Sequence, residues 1–227
     1  MKLVEKENCF LIEDFFPLNI IAGFTKPSLK GVLPEDIKEI MSSLGINPDV
    51  SSMNQRHSAE ILQVNKPGVY EGDAIFTRQK NHVLVVKTAD CLPIIFCSED
   101  TKVIGVIHMG WRSADKGIFE NIYKSVFNNK DESTVYKIAL GPGLRSCCYK
   151  VGTEFLNYPK IKDYLELRKN NLYFDPVKAV KQYTVKNDYK RFSFYDTGVC
   201  TFCSDKDFFS YRKFFDNNRT LSFISNN

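Results

Sequence analysis

Apolar residues recur along this chain with two different spacings. In residues 34–44 they fall three or four positions apart, Pro34 opens the stretch and Gly45 follows it, which predicts a helix. The same spacing predicts helices at residues 113–127 and from 176 to about 185. Short, mostly apolar runs predict strands at residues 60–64, 83–87, 93–97, 103–108, 135–140 and 193–196.

Three of these strands, between residues 83 and 108, follow one another with short connections. Short connections favour antiparallel neighbours, because a parallel crossover needs a dozen residues or more. No linker or repeat divides the chain, and 227 residues with 43% hydrophobic content suffice for a sizeable core. We therefore expect one domain, residues 1–227, with a mixed sheet covered by helices.

Charge, hydropathy and cysteine content argue against nucleic-acid-binding, membrane-spanning and secreted disulfide-rich proteins. The net charge is only +4 and no run of five like charges occurs, whereas proteins that bind nucleic acid concentrate basic residues. No stretch approaches the roughly 20 apolar residues of a membrane span, and the first residues lack a signal-peptide core. The seven cysteines match no secreted disulfide pattern. We expect a cytoplasmic protein with reduced thiols that binds neither nucleic acid nor membrane.

Histidine is scarce, so any imidazole site must use His57, His82 or His108. His108 and Cys91 lie at the ends of strand-like runs, where side chains distant in sequence can converge, and His57 could join them. Two imidazoles and a thiolate suit zinc and leave a fourth position open, as in catalytic sites. The alternative is ordinary packing of a buried cysteine and hydrogen-bonded histidines.

Short motifs surround these three residues in a fixed order. They are Asn-Gln-x-His-Ser at 54–58, Gly-Asp-Ala at 72–74 with Thr77, Thr-Ala-Asp-Cys-Leu-Pro at 88–93, His-x-Gly-Trp-Arg at 108–112, Gly-Pro at 141–142, Cys-Tyr-Lys-Val-Gly at 148–152, Cys-Thr at 200–201, Phe-Phe-Ser-Tyr-Arg at 208–212, Arg219 and Ser222. The set closely resembles the bacterial YfiH-like "laccase domain" family, also called multicopper polyphenol oxidase-like and described as purine nucleoside phosphorylases. The resemblance spans about residues 54–224.

The resemblance implies a fold and a metal site. The fold would be α+β, a single-domain layered α/β/α sandwich with a mixed, largely antiparallel sheet, similar to that of a toxin deamidase. The family binds zinc through the positions occupied here by His57, Cys91 and His108. It is associated with phosphorolysis of adenosine, inosine and methylthioadenosine and with adenosine deamination. The expected partners are thus a purine nucleoside and phosphate, with the protein a monomer or homodimer.

Chemistry assigns roles to further residues near these motifs. Zinc lowers the pKa of a bound water towards neutrality, which suits attack at C6 of adenine, and Asp73 or Asp90 could move the proton. Phosphorolysis needs a cationic clamp, for which Arg112 is the first candidate. The other candidate substrate-binding residues are Lys26, Gln55, Arg56, Trp111, Phe209, Tyr211 and Arg212. The aromatic ones could stack on a purine or could pack in the core.

The N-terminal region departs from the family pattern. The family carries Thr-Arg-x-Gly-Gly-Val-Ser and a longer loop, whereas residues 22–31 read Ala-Gly-Phe-Thr-Lys-Pro-Ser-Leu-Lys-Gly. Lys26 stands at the family's arginine, so the charge is kept but the bidentate fork is lost. Residues 1–50 are therefore shortened and divergent, and substrate choice could differ here.

Three other functions stay open at this point. One is a copper-dependent phenol oxidase, since the same ligands could hold copper; a true multicopper centre, however, would need more than three histidines. Another is a Cys91–His108 hydrolase acting on peptidoglycan precursors without metal. The last is a binding protein that lost catalysis through the change at Lys26.

The remaining cysteines form two short patterns. Cys200 and Cys203 make a C-x-x-C, and Cys147 and Cys148 are adjacent. No second C-x-x-C or histidine pair accompanies them, so we expect a structural or incidental role.

Overall fold

Two large β-sheets pack face to face, with helices on their outer surfaces. The computed structural model describes residues 1–29, 33–128, 133–206 and 208–227, without the side chains of Glu35 and residues 185–189. The strands, numbered in chain order, are β1 (Lys2–Glu5), β2 (Cys9–Glu13), β3 (Ile20–Thr25), β4 (Asp49–Asn54), β5 (Ile61–Gln63), β6 (Gly68–Glu71), β7 (Ala74–Thr77), β8 (His82–Thr88), β9 (Leu92–Ser98), β10 (Ile104–Met109), β11 (Tyr136–Leu140), β12 (Lys150–Val151), β13 (Leu165–Arg168), β14 (Asn171–Phe174), β15 (Phe192–Asp196) and β16 (Thr220–Asn226). The α-helices are α1 (Ile37–Ser43), α2 (Trp111–Lys116), α3 (Ile118–Ile122), α4 (Pro176–Asp188) and α5 (Tyr211–Phe214).

The strand order mixes local and distant pairings. One sheet runs β1-β2-β3-β16-β8-β4-β6, the second runs β15-β11-β9-β10-β7-β5, and a small third sheet runs β12-β14-β13. All pairs are antiparallel except β4 with β6 and β8, β5 with β7, and β11 with β15. The expectation of a mixed, largely antiparallel α+β fold is confirmed.

Alternation along the central strands explains the layers. In β9, Ile95 and Cys97 face the opposite large sheet, while Ile94 and Phe96 face the layer that contains α2, α3 and α4. In β8, Leu84 and Val86 face the second sheet, and Val83 and Val85 pack on α1. Both faces of these strands are buried, which is why they are continuous apolar runs rather than alternating ones. The expected α/β/α sandwich had a single mixed sheet as its middle layer, whereas the structure has two large sheets packed face to face there.

The helices largely follow the sequence pattern, with one interruption. The helix expected at 34–44 begins as a 3-10 turn and continues as α1, and α4 begins at Pro176 as expected. The stretch at 113–127 is divided at Gly117, whose φ of 91° ends α2 in the left-handed region that glycine tolerates best. α3 then leads into one turn of π-helix, Tyr123–Phe127. Within the described residues, no helix is long and apolar enough to cross a membrane.

Gly105 of β10 lies where the neighbouring strand leaves no room for a side chain. A Cβ atom there would meet the ring of Phe96, its partner in β9, which is wholly buried and packs edge-on against Phe127. We expect Gly105→Ala to lower the free energy of unfolding by about 2 kcal/mol, because overpacking a filled core costs roughly 1–3 kcal/mol. Urea unfolding of the two proteins would measure it.

The control for this prediction is the same change in a Phe96→Leu background. The smaller side chain leaves room for the new methyl group, so Gly105→Ala should cost clearly less there. Equal costs in the two backgrounds would mean that the ring is not what excludes a side chain at position 105.

Candidate metal centre

Three side chains from separate parts of the chain meet at one end of the sandwich. His57 follows β4, Cys91 lies in the connection between β8 and β9, and His108 belongs to β10. Their potential ligand atoms all lie within 4.8 Å of one another, and the Cys91 Sγ is 3.7 Å from the His57 Nε2. The structure therefore brings together the three residues expected to bind metal.

The backbone around this cluster is strained and tightly packed. His57 has a φ of 53° and Asp90, next to Cys91, has a φ of 88°. Such left-handed conformations are unfavourable for residues other than glycine and are retained mainly where function needs them. At Gly110 a Cβ would lie 2.7 Å from the His57 ring and 3.1 Å from the Cys91 Sγ. Glycine is thus needed there for the two side chains to approach.

The carboxylate of Asp73 connects two of the three residues. It is wholly buried and lies 2.7 Å from the Nδ1 of His108. It also accepts hydrogen bonds from the backbone N–H groups of Arg56, His57 and Ser58 and from the Ser58 hydroxyl. Burial alone would raise the pKa of Asp73, but hydrogen bonds from His108 and Ser58 lower it to about 2. Because both oxygens are occupied, this geometry favours a positioning role over the proton transfer that the sequence suggested.

The thiol of Cys91 and the imidazole of His108 stabilise each other in charged form. Burial would raise the pKa of Cys91, yet the neighbouring His108 and His57 lower it to about 6. Burial would lower the pKa of His108, whereas Cys91 and Asp73 raise it to about 9. The cluster thus favours a thiolate, the form of cysteine that binds metals and attacks carbon.

The donor set fits a zinc ion. Asp73 accepts a hydrogen bond from the Nδ1 of His108, so the Nε2 atom of that ring is left to bind a metal ion. A histidine held by a carboxylate in this way is common at zinc sites. Three ligands leave a fourth position for water or substrate. The third histidine, His82, lies elsewhere, buried and 2.8 Å from the Ser51 hydroxyl. The described residues therefore offer no imidazoles for a second copper centre.

A cavity of about 1100 Å³ opens beside the cluster. His57, Cys91 and His108 all line it. Its lining also includes the aromatic residues Trp111, Tyr149, Phe155, Tyr211 and Phe215 and the cationic residues Arg56, Lys87, Arg112, Lys150, Arg212 and Arg219. The volume and composition suit a drug-sized ligand with a flat ring and an anionic group.

The three arginines expected to bind substrate are not equivalent. Arg56 pairs with Glu71 at 2.6 Å, and Arg212 donates to the backbone carbonyls of Cys148 and Lys150. Arg112 lies 4.3 Å above the Trp111 ring and, among the described residues, forms no ion pair with a carboxylate. Arg112 is therefore the guanidinium of this set that is available to an anion.

Asp90 supports the connection that carries Cys91. Its Oδ1 accepts a hydrogen bond from the Thr201 hydroxyl at 2.8 Å, and its Oδ2 accepts one from the backbone N–H of Arg212 at 2.7 Å. These bonds tie the connection that carries Cys91 to the C-terminal part of the chain. Asp90 lines the cavity, but its oxygens already have partners.

The other expected substrate contacts have mixed outcomes. Gln55 lines the cavity, although its amide is held by two hydrogen bonds to the backbone of Lys87. The structure does not place Lys26 or Phe209 in the described lining. Lys26 directs its charge to Glu5, 2.7 Å away, because β3 lies beside the first hairpin, and Phe209 is 4% exposed in the interior. Lys30 and Gly31 of the divergent loop lie outside the described residues.

Aromatic residues form two parts of the cavity wall. Trp111 packs against Phe155 and Tyr158, with ring centroids 4.8 Å apart in both pairs. Tyr211 and Phe215 contact each other and are 52% and 76% exposed. Sequence reasoning found Trp111 and Tyr211 but missed Phe155, Phe215 and Lys87, which lie outside the family motifs.

Relatives of known structure share the whole fold. YfiH of Bacillus licheniformis, titled a hypothetical protein, superposes with a TM-score of 0.81 at 19% identity, covering 99% of this chain and 98% of its own. YlmD of Geobacillus stearothermophilus gives a TM-score of 0.81 at 20% identity, covering 98% and 97%. At these identities the likeness establishes the fold.

Sequence relatives establish the family. A protein of Aquifex aeolicus named purine nucleoside phosphorylase is 32% identical over 162 residues, 70% of this chain and 74% of its own length. One of the same name from Haemophilus influenzae is 28% identical over 196 residues, 82% and 78% of the two chains. A family model described as multi-copper polyphenol oxidoreductase laccase matches residues 30–226. The chain therefore belongs to this YfiH-like laccase-domain family.

Proposed function

We propose that this protein is a zinc-dependent purine nucleoside phosphorylase that also deaminates adenosine. The observation that carries the proposal is the cluster of His57, Cys91 and His108 in the wall of a cavity that also presents Arg112, which forms no ion pair within the described part of the chain. The names of the Aquifex and Haemophilus relatives support the nucleoside as substrate.

Different residues of the cavity would bind different parts of the substrate. Purines are flat, and the exposed rings of Tyr211 and Phe215 offer faces on which such a base can stack. Arg112 neutralises phosphate and holds it towards the ribose. In phosphorolysis a phosphate oxygen bonds to C1′, the C1′–N9 bond breaks, and its electron pair leaves with the purine. Arg112 lowers the barrier by keeping the anion next to C1′.

The ligand residues and their supports form a rigid unit. Zinc bound there would supply a Lewis acid that polarises the reacting atoms. Asp73 orients the His108 ring, and Asp90 holds the backbone that precedes Cys91. In deamination water adds to C6 of adenosine, the C6–N6 bond breaks and ammonia leaves, giving inosine.

A second candidate function uses the same residues without metal. Cys91, His108 and Asp73 form a chain of thiol, imidazole and carboxylate, the arrangement of a cysteine hydrolase. Activity on a peptide bond that survives complete removal of zinc would favour this hydrolase over the phosphorylase.

We also propose that residues 1–227 form one domain that works in the reducing cytoplasm. β3 pairs with β16, so both ends of the described chain belong to the same sheet. All seven cysteines are free thiols, which suits a reducing compartment.

Zinc-loaded protein should convert adenosine and phosphate to adenine and ribose 1-phosphate, and adenosine to inosine. A strong chelator should abolish both reactions and zinc should restore them. His57→Ala and His108→Ala should lose activity and the metal ion of this cluster, whereas His82→Gln, a change of a buried histidine outside the cavity, should keep both. Chromatography of the products is the measurement. Absence of turnover with adenosine, inosine and methylthioadenosine would refute the proposal.

Arg112→Gln should raise the KM for phosphate by about 10- to 100-fold, since a charge-assisted hydrogen bond contributes roughly 1.5–3 kcal/mol. Arg56→Gln is the matched control, because Arg56 is already paired with Glu71 and its loss should change KM little. Steady-state kinetics with varied phosphate would measure both. Equal effects of the two changes would contradict the assignment of Arg112.

Asp73→Asn should weaken zinc binding by about 10- to 100-fold, because the neutral amide no longer stabilises the charge on His108. Competition with a chromophoric chelator would measure the affinity, and circular dichroism would verify folding. Unchanged affinity in a folded variant would show that Asp73 does not support the metal site.

A further inference from the structure

A second group of potential metal ligands lies outside the catalytic cluster. Cys147 and Cys148 lie in the turn between β11 and β12, and Cys200 and Cys203 lie in the loop after β15. Their four Sγ atoms all lie within 4.8 Å of one another. Two segments more than 50 residues apart in sequence thus bring all four of their cysteine side chains together.

The sulfur separations match a metal site better than a disulfide. All four are free thiols, and the Sγ atoms of Cys147 and Cys203 are 3.7 Å apart. Zinc–thiolate bonds of about 2.3 Å in a tetrahedron place sulfurs about 3.8 Å apart, whereas a disulfide requires about 2.05 Å. The spacing is that of one edge of a tetrathiolate site.

The backbone around Cys200 is arranged to stabilise a thiolate. The N–H groups of Arg145, Cys203 and Phe202 donate hydrogen bonds to its sulfur. Burial would raise the pKa of Cys200, but these bonds lower it to about 7. The C-x-x-C turn thus directs backbone N–H groups at the sulfur of Cys200.

The thiols of Cys147 and Cys148 lose their protons less readily than that of Cys200. Burial and the neighbouring sulfurs of Cys200 and Cys203 together raise the pKa of Cys147 to about 11. The pKa of Cys148 is raised for the same reasons. Four sulfurs this close repel one another as thiolates, and a divalent cation at their centre would remove that repulsion.

Buried Arg145 adds a complementary charge. Its other nitrogens donate to the carbonyls of Gly141 and Val199 and contact Asp196, but its Nη1 is buried without a hydrogen-bond partner in the described structure. Zinc with four thiolates has a net charge of about −2. A guanidinium beside it is a favourable counter-ion.

We propose that Cys147, Cys148, Cys200 and Cys203 bind a structural zinc ion in a closed tetrathiolate site. This replaces the incidental role that the sequence suggested for them. The ion would fasten two loops that reach the cavity: Tyr149, next to Cys148, lines it, and the hydroxyl of Thr201 holds Asp90. The site would thus stabilise the wall that carries Cys91 without touching substrate.

Zinc content of the purified protein tests the proposal, because two independent sites predict about two ions per chain. Cys147→Ser/Cys203→Ser should keep about one, and His57→Ala/His108→Ala should also keep about one. Cys147 and Cys203 are exposed, so serine there should cost little stability unless a ligand is lost. We expect a clear fall in Tm for the cysteine variant, and an unchanged zinc content for the control His82→Gln, which leaves both clusters intact.

Cobalt substitution distinguishes the two sites. A cobalt–thiolate charge-transfer band dominated by four sulfurs should remain in the histidine variant and be lost in the cysteine variant. Unchanged zinc content and Tm in the cysteine variant would overturn the proposal, as would iron in place of zinc or a Cys147–Cys203 disulfide in the native mass spectrum. Failure of the proposed function alone looks different: the wild-type protein would hold about one zinc, insensitive to the histidine changes.

Discussion

The buried carboxylate of Asp73 is the interaction on which the candidate centre depends. It accepts hydrogen bonds from three successive backbone N–H groups, those of residues 56–58, and from the Nδ1 of His108. One side chain thus positions His57, which follows a strand of one large sheet, relative to His108, which lies in a strand of the other. A carboxylate in the interior is stable only when its lone pairs are filled, and here they are. The interaction therefore fixes where His57 and His108 meet and which nitrogen of His108 is available.

The rest of the fold makes this arrangement rigid. Cys91 immediately precedes β9 and His108 lies near the end of β10, and the side chains of these two paired strands are buried on both faces of the sheet. A rigid frame can maintain the left-handed backbone at His57 and Asp90 and the close approach at Gly110, each of which would relax in a looser structure. The strain is thus localised where the ligand geometry requires it.

The two groups of ligands have different chemistry and different positions. The imidazole–thiolate cluster lines a cavity and has room for a fourth partner, whereas the four-cysteine group has donors enough to enclose an ion. They are connected through Thr201 and Asp90, so order in one loop is transmitted to the backbone next to Cys91. Functional residues on loops depend on a rigid scaffold to hold them in position, and this connection is part of that scaffold.

Apolar runs along the chain predicted the central strands, and the family motifs pointed to the α+β class and to His57, Cys91 and His108 as candidate ligands, because both kinds of signal are local in sequence. The sequence did not reveal the pairing of β3 with β16, since those strands lie at opposite ends of the chain. Nor did it distinguish Arg112 from Arg56 and Arg212, or exclude Lys26, because an arginine or lysine is defined as free or paired only by its neighbours in space. The convergence of Cys147 and Cys148 on Cys200 and Cys203 has the same origin. Tertiary structure decided these matters because charge pairing and ligand geometry depend on distances of a few ångströms between residues far apart in the chain.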